Sequence, residues 1–187
     1  SPGASDWVLR SSLVTTFYPA NIEEIIRLGL HAIALSRHAG VVTALKLVTP
    51  VCDGASTIDL AQVRPEIVLP ERRYGKHFNQ IVMASGALPM QQELVEKKMP
   101  LVEEYIRANG INRIIDAEAG GSVGIVATGK SFTDLRQALA YLGLRVPILH
   151  LSVIFPLDYQ IVREFAKGLK RIYVIEEPGP FVEEGIK

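Results

Sequence analysis

Between Asn21 and Gly40 apolar and polar residues recur with a period near 3.6, which predicts a helix. Asn21 is a capping residue, Glu24 stands at the reciprocal place of a capping box, and Gly40 supplies a left-handed stop. Ile22, Ile25, Ile26 and Ile33 share one face, and Leu28, Ala32 and Leu35 broaden it. Glu23, Arg27 and His31, at four-residue spacing, leave only a narrow wet stripe, so this helix is expected to be buried on most sides. Val41 to Val48 then reads as a largely buried strand before Pro50.

Periodicity fades from Asp59 to Ala87, where Pro65, Pro70, Gly75 and Gly86 flank the basic cluster Glu71-Arg-Arg-Tyr-Gly-Lys76. A connector draped over the surface is expected there. A helix follows from about Pro89 to Asn109, with Leu94, Val95, Leu101, Val102, Tyr105 and Ile106 inward. Pro100 either starts a second helix or kinks the first, and Gly110 ends it. Ile111 to Ile115 adds a short strand, and Ala117 to Ser122 is expected to act as a hinge.

The C-terminal stretch alternates regularly. A strand over 123–128 passes through Gly129 into a helix for which Ser131 and Asp134 form a capping pair. Phe132, Leu135, Leu139 and Leu142 share a face of that helix and Gly143 ends it. A strand at Pro147 to Ile154, a helix capped by Asp158 with Val162, Phe165 and Leu169 inward, and a strand from Arg171 to Glu176 complete the series before Pro178-Gly-Pro180. Strand-helix-strand-helix-strand predicts an α/β fold with three layers and a mainly parallel sheet.

Gly124 to Ser131 also fits the pattern Gly, four residues, Gly-Lys-Ser of a phosphate-gripping loop. Such a loop requires the strand to end before its first glycine, leaving the intervening amides free to curl around phosphate. Here those residues are Ile125, Val126, Ala127 and Thr128, an apolar β-branched run that makes a strand. A nucleotidase is therefore the third reading, and replacing Lys130 with alanine tests it.

Charge and composition narrow the remaining choices. Hydrophobic content of 48% with zero net charge describes a core-forming protein without electrostatic affinity for nucleic acid or anionic membrane. No apolar run approaches the roughly twenty residues that span a bilayer. Ser1-Pro-Gly-Ala-Ser-Asp6 is neither a signal peptide nor a natural start, so the chain reads as a piece of a longer cytoplasmic protein. Cys52 is the single cysteine and cannot anchor an iron-sulfur cluster, which takes about four. Asp53-Gly54 with Asn79 is a faint magnesium-diphosphate pattern and reads as a turn. His31 and His38 lie two turns apart, too far for a shared metal, and are expected at a surface or interface. His77 falls in a basic loop, and His150, in an apolar strand, reads as a hydrogen-bonded structural imidazole. Glu176 and Glu177 end a strand at the edge where α/β ligands bind.

Gly124-Ile-Val-Ala-Thr-Gly-Lys-Ser-Phe-Thr-Asp134, Pro156-Leu157-Asp158 and Tyr173-Val-Ile-Glu-Glu177 resemble the C-terminal domain shared by transketolase-like enzymes and thiamine-dependent 2-oxoacid:ferredoxin oxidoreductases. Tyr18-Pro-Ala-Asn-Ile-Glu-Glu-Ile25, Leu30-His-Ala-Ile-Ala-Leu-Ser-Arg37 and Ala108-Asn-Gly-Ile-Asn-Arg-Ile114 narrow the resemblance to the fused indolepyruvate:ferredoxin oxidoreductases. The resemblance implies the end of a pyrimidine-binding α/β domain over 1–58, a helical connector over 59–118 and a transketolase C-terminal-like domain over 119–187. It further implies oxidative decarboxylation of a 2-oxoacid to an acyl-coenzyme A, with thiamine diphosphate, magnesium and 4Fe-4S clusters carried by other domains or subunits, and ferredoxin and coenzyme A as partners. In the family, paired serines precede the Tyr-Pro-Ala-Asn segment near the active-site cleft. That makes Ser11 and Ser12 the cofactor-binding candidates, although Leu13-Val-Thr-Thr16 replaces the usual Gln/Glu-rich continuation. No catalytic residue and no metal ligand is expected here, and the segment is expected to be an inert packing and assembly module within a homo-oligomer. A transketolase-type or 2-oxoacid dehydrogenase-type subunit sharing the C-terminal domain is the second reading.

Overall fold

The computed structural model describes residues 5–74 and 84–187, so His77 and Asn79 lie outside the described residues. The N-terminal part contains α1 (Ser5–Ser11), β1 (Thr15–Phe17), α2 (Ile22–Ala39), β2 (Thr43–Leu45) and the single-turn helices α3 (Thr49–Cys52) and α4 (Leu60–Val63). Then come α5 (Ala84–Glu93), a π-helical stretch (Leu94–Lys98) and α6 (Met99–Ala108). The C-terminal part runs β3 (Arg113–Ile115), β4 (Val123–Thr128), α7 (Gly129–Leu142), β5 (Ile148–Leu151), β6 (Val153–Phe155), α8 (Tyr159–Ala166), β7 (Arg171–Ile175) and α9 (Phe181–Ile186).

Two sheets result. The larger has strand order β3-β5-β4-β7, with β4 parallel to both β5 and β7 and β3 antiparallel to β5. Alternate residues of β4 face opposite sides. Ile125 and Ala127 pack with Phe132, Leu135 and Leu139 of α7, and Val126 packs with Val162 and Phe165 of α8. Helix, sheet and helix thus form three layers around a mainly parallel sheet. The smaller sheet has the order β2-β1-β6, parallel between β1 and β2 and antiparallel between β1 and β6. Its core joins Phe17 and Val153 to Leu28 and Leu35 of α2 and Val102, Tyr105 and Ile106 of α6.

Several local expectations change. The residues from Pro147 to Ile154 make not one strand but two, because the chain leaves the larger sheet after Leu151 and enters the smaller one at Val153. Val41 to Val48 yields only the three-residue β2, and it is half-buried. Helix α7 begins at Gly129 with Thr128 as N-cap and no side-chain cap, so Ser131 is already inside the helix. The nearby hydroxyl that does bond is Thr133 Oγ1, which donates to Lys130 O at 2.7 Å. On α2, Ile33 is 54% exposed whereas His31 is buried, the reverse of the expected faces. The helix presents apolar residues on two sides, and tertiary packing selects Leu28, His31, Ala32 and Leu35 as the inner one. Val95 is exposed, and α5 starts at Ala84 with Pro89 inside it. Pro100 does sit in the first turn of a new helix, α6.

Candidate functional site

Charged and polar side chains gather where the two sheets meet. Tyr18 follows β1, and its N–H donates to Ser152 O at 2.8 Å, in the gap between β5 and β6. Two residues close on its ring. Lys46 Nζ lies 4.2 Å from the ring centroid. Gly129 approaches so closely that a Cβ there would come 2.3 Å from Tyr18 Cε2 and Cζ. Lys46 is placed by its backbone N–H, which donates to Phe17 O at 2.8 Å. Its ammonium donates to Asp6 Oδ2 of α1 and to Glu177 O after β7, each at 2.8 Å. One cation therefore ties together α1, the smaller sheet and the end of the larger sheet. Burial, reinforced by Glu177, Asp6 and Glu176, pushes the Tyr18 hydroxyl well above its ordinary titration range.

A second cluster centres on Glu24. Asn21 Oδ1 accepts from Glu24 N–H at 2.9 Å, as the capping pattern predicts. The glutamate side chain reaches one residue further back than a capping box would, accepting from Ala20 N–H at 2.9 Å. Its other oxygen accepts from Arg27 at 2.8 Å and from Arg113 of β3 at 3.3 Å. His150 of β5, opposite Arg113 in the register, has Nε2 4.0 Å from Glu24 Oε2. The expected hydrogen bond on His150 is not made: neither ring nitrogen has a partner among the described residues. Phe132 stacks on it instead, with ring centroids 3.7 Å apart and planes within 6°. Burial pushes the imidazole down to about 4 against the pull of Glu24, with Arg113 and Arg27 aiding the descent, so His150 is neutral at pH 7.

His31 and His38, expected at a surface or interface, are both buried beside Tyr105, at the contact between α2 and α6. His31 Nδ1 lies 3.1 Å from the Tyr105 hydroxyl. Burial and then Arg27 push His31 down to about 4, while burial pushes Tyr105 up to about 12. These are neutral partners fastening α2 to α6.

The phosphate-loop reading does not survive the fold. Ile125 to Thr128 lie in β4 with their amides committed to sheet pairing, and Lys130 pairs with Asp134 one turn along α7. Both glycines have packing roles. A Cβ on Gly124 would meet Leu169 Cδ1 at 2.5 Å and Phe165 Cζ at 2.7 Å, and Gly129 seats Tyr18.

Residues 112–187 match the family model of the indolepyruvate ferredoxin oxidoreductase middle domain. The indolepyruvate oxidoreductase subunit IorA of Methanothermobacter marburgensis is 30% identical over 178 residues, or 95% of this chain. That of Archaeoglobus fulgidus is 26% identical over the same share. The likeness is to the indolepyruvate:ferredoxin oxidoreductases. It spans 28% of the length of both curated relatives. The solved 2-oxoglutarate:ferredoxin oxidoreductase from Magnetococcus marinus, with 2-oxoglutarate, coenzyme A and succinyl-CoA bound, superposes with a TM-score of 0.57 at 14% identity. That match covers 91% of this chain and 36% of the solved one, and it shows the shared fold.

No three His, Cys, Asp or Glu side chains converge where a metal could sit, among the described residues. Asp53 follows a single helical turn, exposed, and Cys52 is a solitary exposed thiol. Ser11 ends α1, with its hydroxyl donating to Val8 O at 2.8 Å, and Ser12 is exposed beside it. Glu176, at the strand edge, accepts from Val182 and Glu183 N–H at 2.8 and 2.9 Å and so caps α9. No described helix is long and apolar enough to cross a membrane. Sequence reasoning missed Asp6 and Lys46. The available signal was Lys46 itself, a lone cation inside the apolar run from Val41 to Val48.

Proposed function

We propose that this chain is the structural segment of a thiamine diphosphate-dependent indolepyruvate:ferredoxin oxidoreductase that locks the end of a pyrimidine-binding-type domain (1–58), through a connector (59–118), to a transketolase C-terminal-like domain (119–187). The complete cytoplasmic enzyme converts an arylpyruvate, coenzyme A and oxidised ferredoxin into an acyl-coenzyme A, carbon dioxide and reduced ferredoxin. Thiamine diphosphate, magnesium and 4Fe-4S clusters belong to its other domains or subunits. Ser11 and Ser12, exposed at the end of α1, are the residues of this chain that would meet the cofactor-bearing part.

The observation that supports the structural role is the Lys46 junction, where one ammonium donates to Asp6 Oδ2 and Glu177 O and lies over the Tyr18 ring, holding three elements together. Calorimetric titration of the chain with Mg-thiamine diphosphate and, separately, with Mg-ATP tests the reading. No heat with either ligand is expected. Saturable thiamine diphosphate binding would sink the claim that the cofactor site lies elsewhere. ATP binding abolished by Lys130→Ala would restore the nucleotidase.

A further inference from the structure

Residues 67–74 form a strap beside α2 that is pinned at three places. Val68 N–H donates to Asn109 Oδ1 and Val68 O accepts from Asn109 Nδ2, both at 2.8 Å. Arg72 pairs with Glu104 of α6 at 3.4 Å. Tyr74 N–H donates to His38 O at 3.3 Å, and its ring lies against Gly40, where a Cβ would come 2.8 Å from Cδ1. Strap and helix enclose a groove of about 910 Å³, within the size range of ligand sites.

The groove has a polar end and an apolar end. Arg37 and His38 of α2, and Arg73 beside Tyr74, line it where Tyr74 fastens the strap. Neither arginine has an ion-pair partner among the described residues. Two arginines against Glu71 leave the lining net positive. His38 is buried, and burial lowers its pKa, so the ring is neutral at pH 7. The ring bonds the Arg72 backbone, while its Nε2 has no partner among the described residues. A neutral imidazole that donates through one nitrogen accepts at the other. Ile67, Leu69 and Ala34 supply the apolar end, with Leu69 left 61% exposed.

We propose that this groove captures the free C-terminus of a partner peptide that ends in an aliphatic residue. A carboxylate, an N–H and an apolar side chain on one residue describe the end of a peptide chain. The groove holds the matching set: Arg37 and Arg73 for the carboxylate, His38 Nε2 for the N–H, and Ile67, Leu69 and Ala34 for the side chain. An internal segment would bring the N–H and the side chain but no carboxylate to the arginines. The pins form the groove in advance, so little ordering is lost on binding. Nothing in this recognition depends on the packing role proposed above, and its failure leaves that reading intact.

Calorimetric titration of the chain with the tetrapeptide acetyl-Ala-Ala-Ala-Leu reads the binding, with an expected dissociation constant on the order of 100 μM. The C-terminal amide of that peptide should bind at least about tenfold more weakly, and an analogue with an ester oxygen in place of the leucine N–H about fivefold more weakly. N-acetyl-leucine, which lacks the preceding chain, should also lose at least about tenfold. Arg37→Ala and Arg73→Ala, both at exposed positions, should each weaken the acid by roughly threefold to tenfold and leave the amide unaffected. A general loss of folding cannot separate the two ligands in that way. Tyr141→Ala, on α7 and 91% exposed, is the control and should change nothing. No saturable heat with the peptide at millimolar concentration, or equal affinity for acid and amide, overturns the proposal. So does N-acetyl-leucine binding as tightly as the peptide, which would make the groove a metabolite site, or loss of binding in Tyr141→Ala.

Discussion

Replacing Gly129 with alanine puts the central junction to its most direct test. Gly129 has φ of +50°, a left-handed conformation that costs an L-residue about 1–2 kcal/mol. The new Cβ would also stand 2.3 Å from the Tyr18 ring. That ring cannot retreat, because it is 1% exposed and Lys46 Nζ sits 4.2 Å from its centroid. Overpacking of this kind adds about 1–3 kcal/mol, for a total loss of about 2–5 kcal/mol. With a urea dependence of about 1–3 kcal/mol per molar, the unfolding midpoint followed by far-ultraviolet circular dichroism should fall by about 1–2 M. In a Tyr18→Ala background the steric part disappears, and Gly129→Ala should cost only the conformational 1–2 kcal/mol or so. Lys130→Ala, one residue on, removes a partly exposed i,i+4 ion pair and should change stability by about 0.3–0.5 kcal/mol. If Gly129→Ala costs less than about 0.5 kcal/mol, the ring is not seated on Gly129 and the junction as described is wrong.

Lys46→Met strands the buried Asp6 carboxylate and should cost about 3–5 kcal/mol by the same assay, whereas replacing the pair with Lys46→Met and Asp6→Leu should be much milder. Stability should also fall on acidification. His31 and His150 titrate near 4 when folded and near 6.5 when unfolded, so the unfolded chain binds more protons throughout that interval. The folded state therefore weakens as pH drops from about 6.5 to about 4, by up to about 3 kcal/mol per histidine. Unfolding midpoints measured across that range should show this slope, reduced in His31→Gln, and a flat profile would refute the burial argument. Asp158→Ala removes the side chain that accepts from Gln160 and Ile161 N–H and should cost about 1 kcal/mol in thermal or urea unfolding.

Local backbone grammar was legible in the sequence because it depends on neighbours within four residues. Asn21 and Asp158 cap their helices, Gly40 and Gly143 end theirs in left-handed conformations, and Pro100 opens α6. What depended on distant contacts was not legible. The burial of His31 follows from Tyr105, which lies far along the chain on α6. The break at Ser152 arises because β1 draws Val153 to Phe155 into its own sheet, and nothing in the apolar run from Ile148 to Phe155 announces two partners. A serine followed three residues later by an aspartate looks like a cap, whereas α7 starts at Gly129, which lies close against the ring of Tyr18, a residue far back in the chain. The polar junction was the least visible feature. Its members, Asp6, Tyr18, Lys46, Gly129 and Glu177, are scattered over nearly the whole chain, and no short motif can carry them.

The transfer of one stretch of chain from β5 into β6 also governs how the molecule comes apart. Val153 to Phe155 belong to the C-terminal sequence but form an outer strand of the N-terminal sheet. Unravelling either sheet therefore pulls on the backbone of the other, and the two should melt in a single transition. A cut between Ala117 and Ser122 would sever the covalent link yet leave the halves clasped, and residues 112–187 produced alone would carry a strand whose partner, β1, stayed behind.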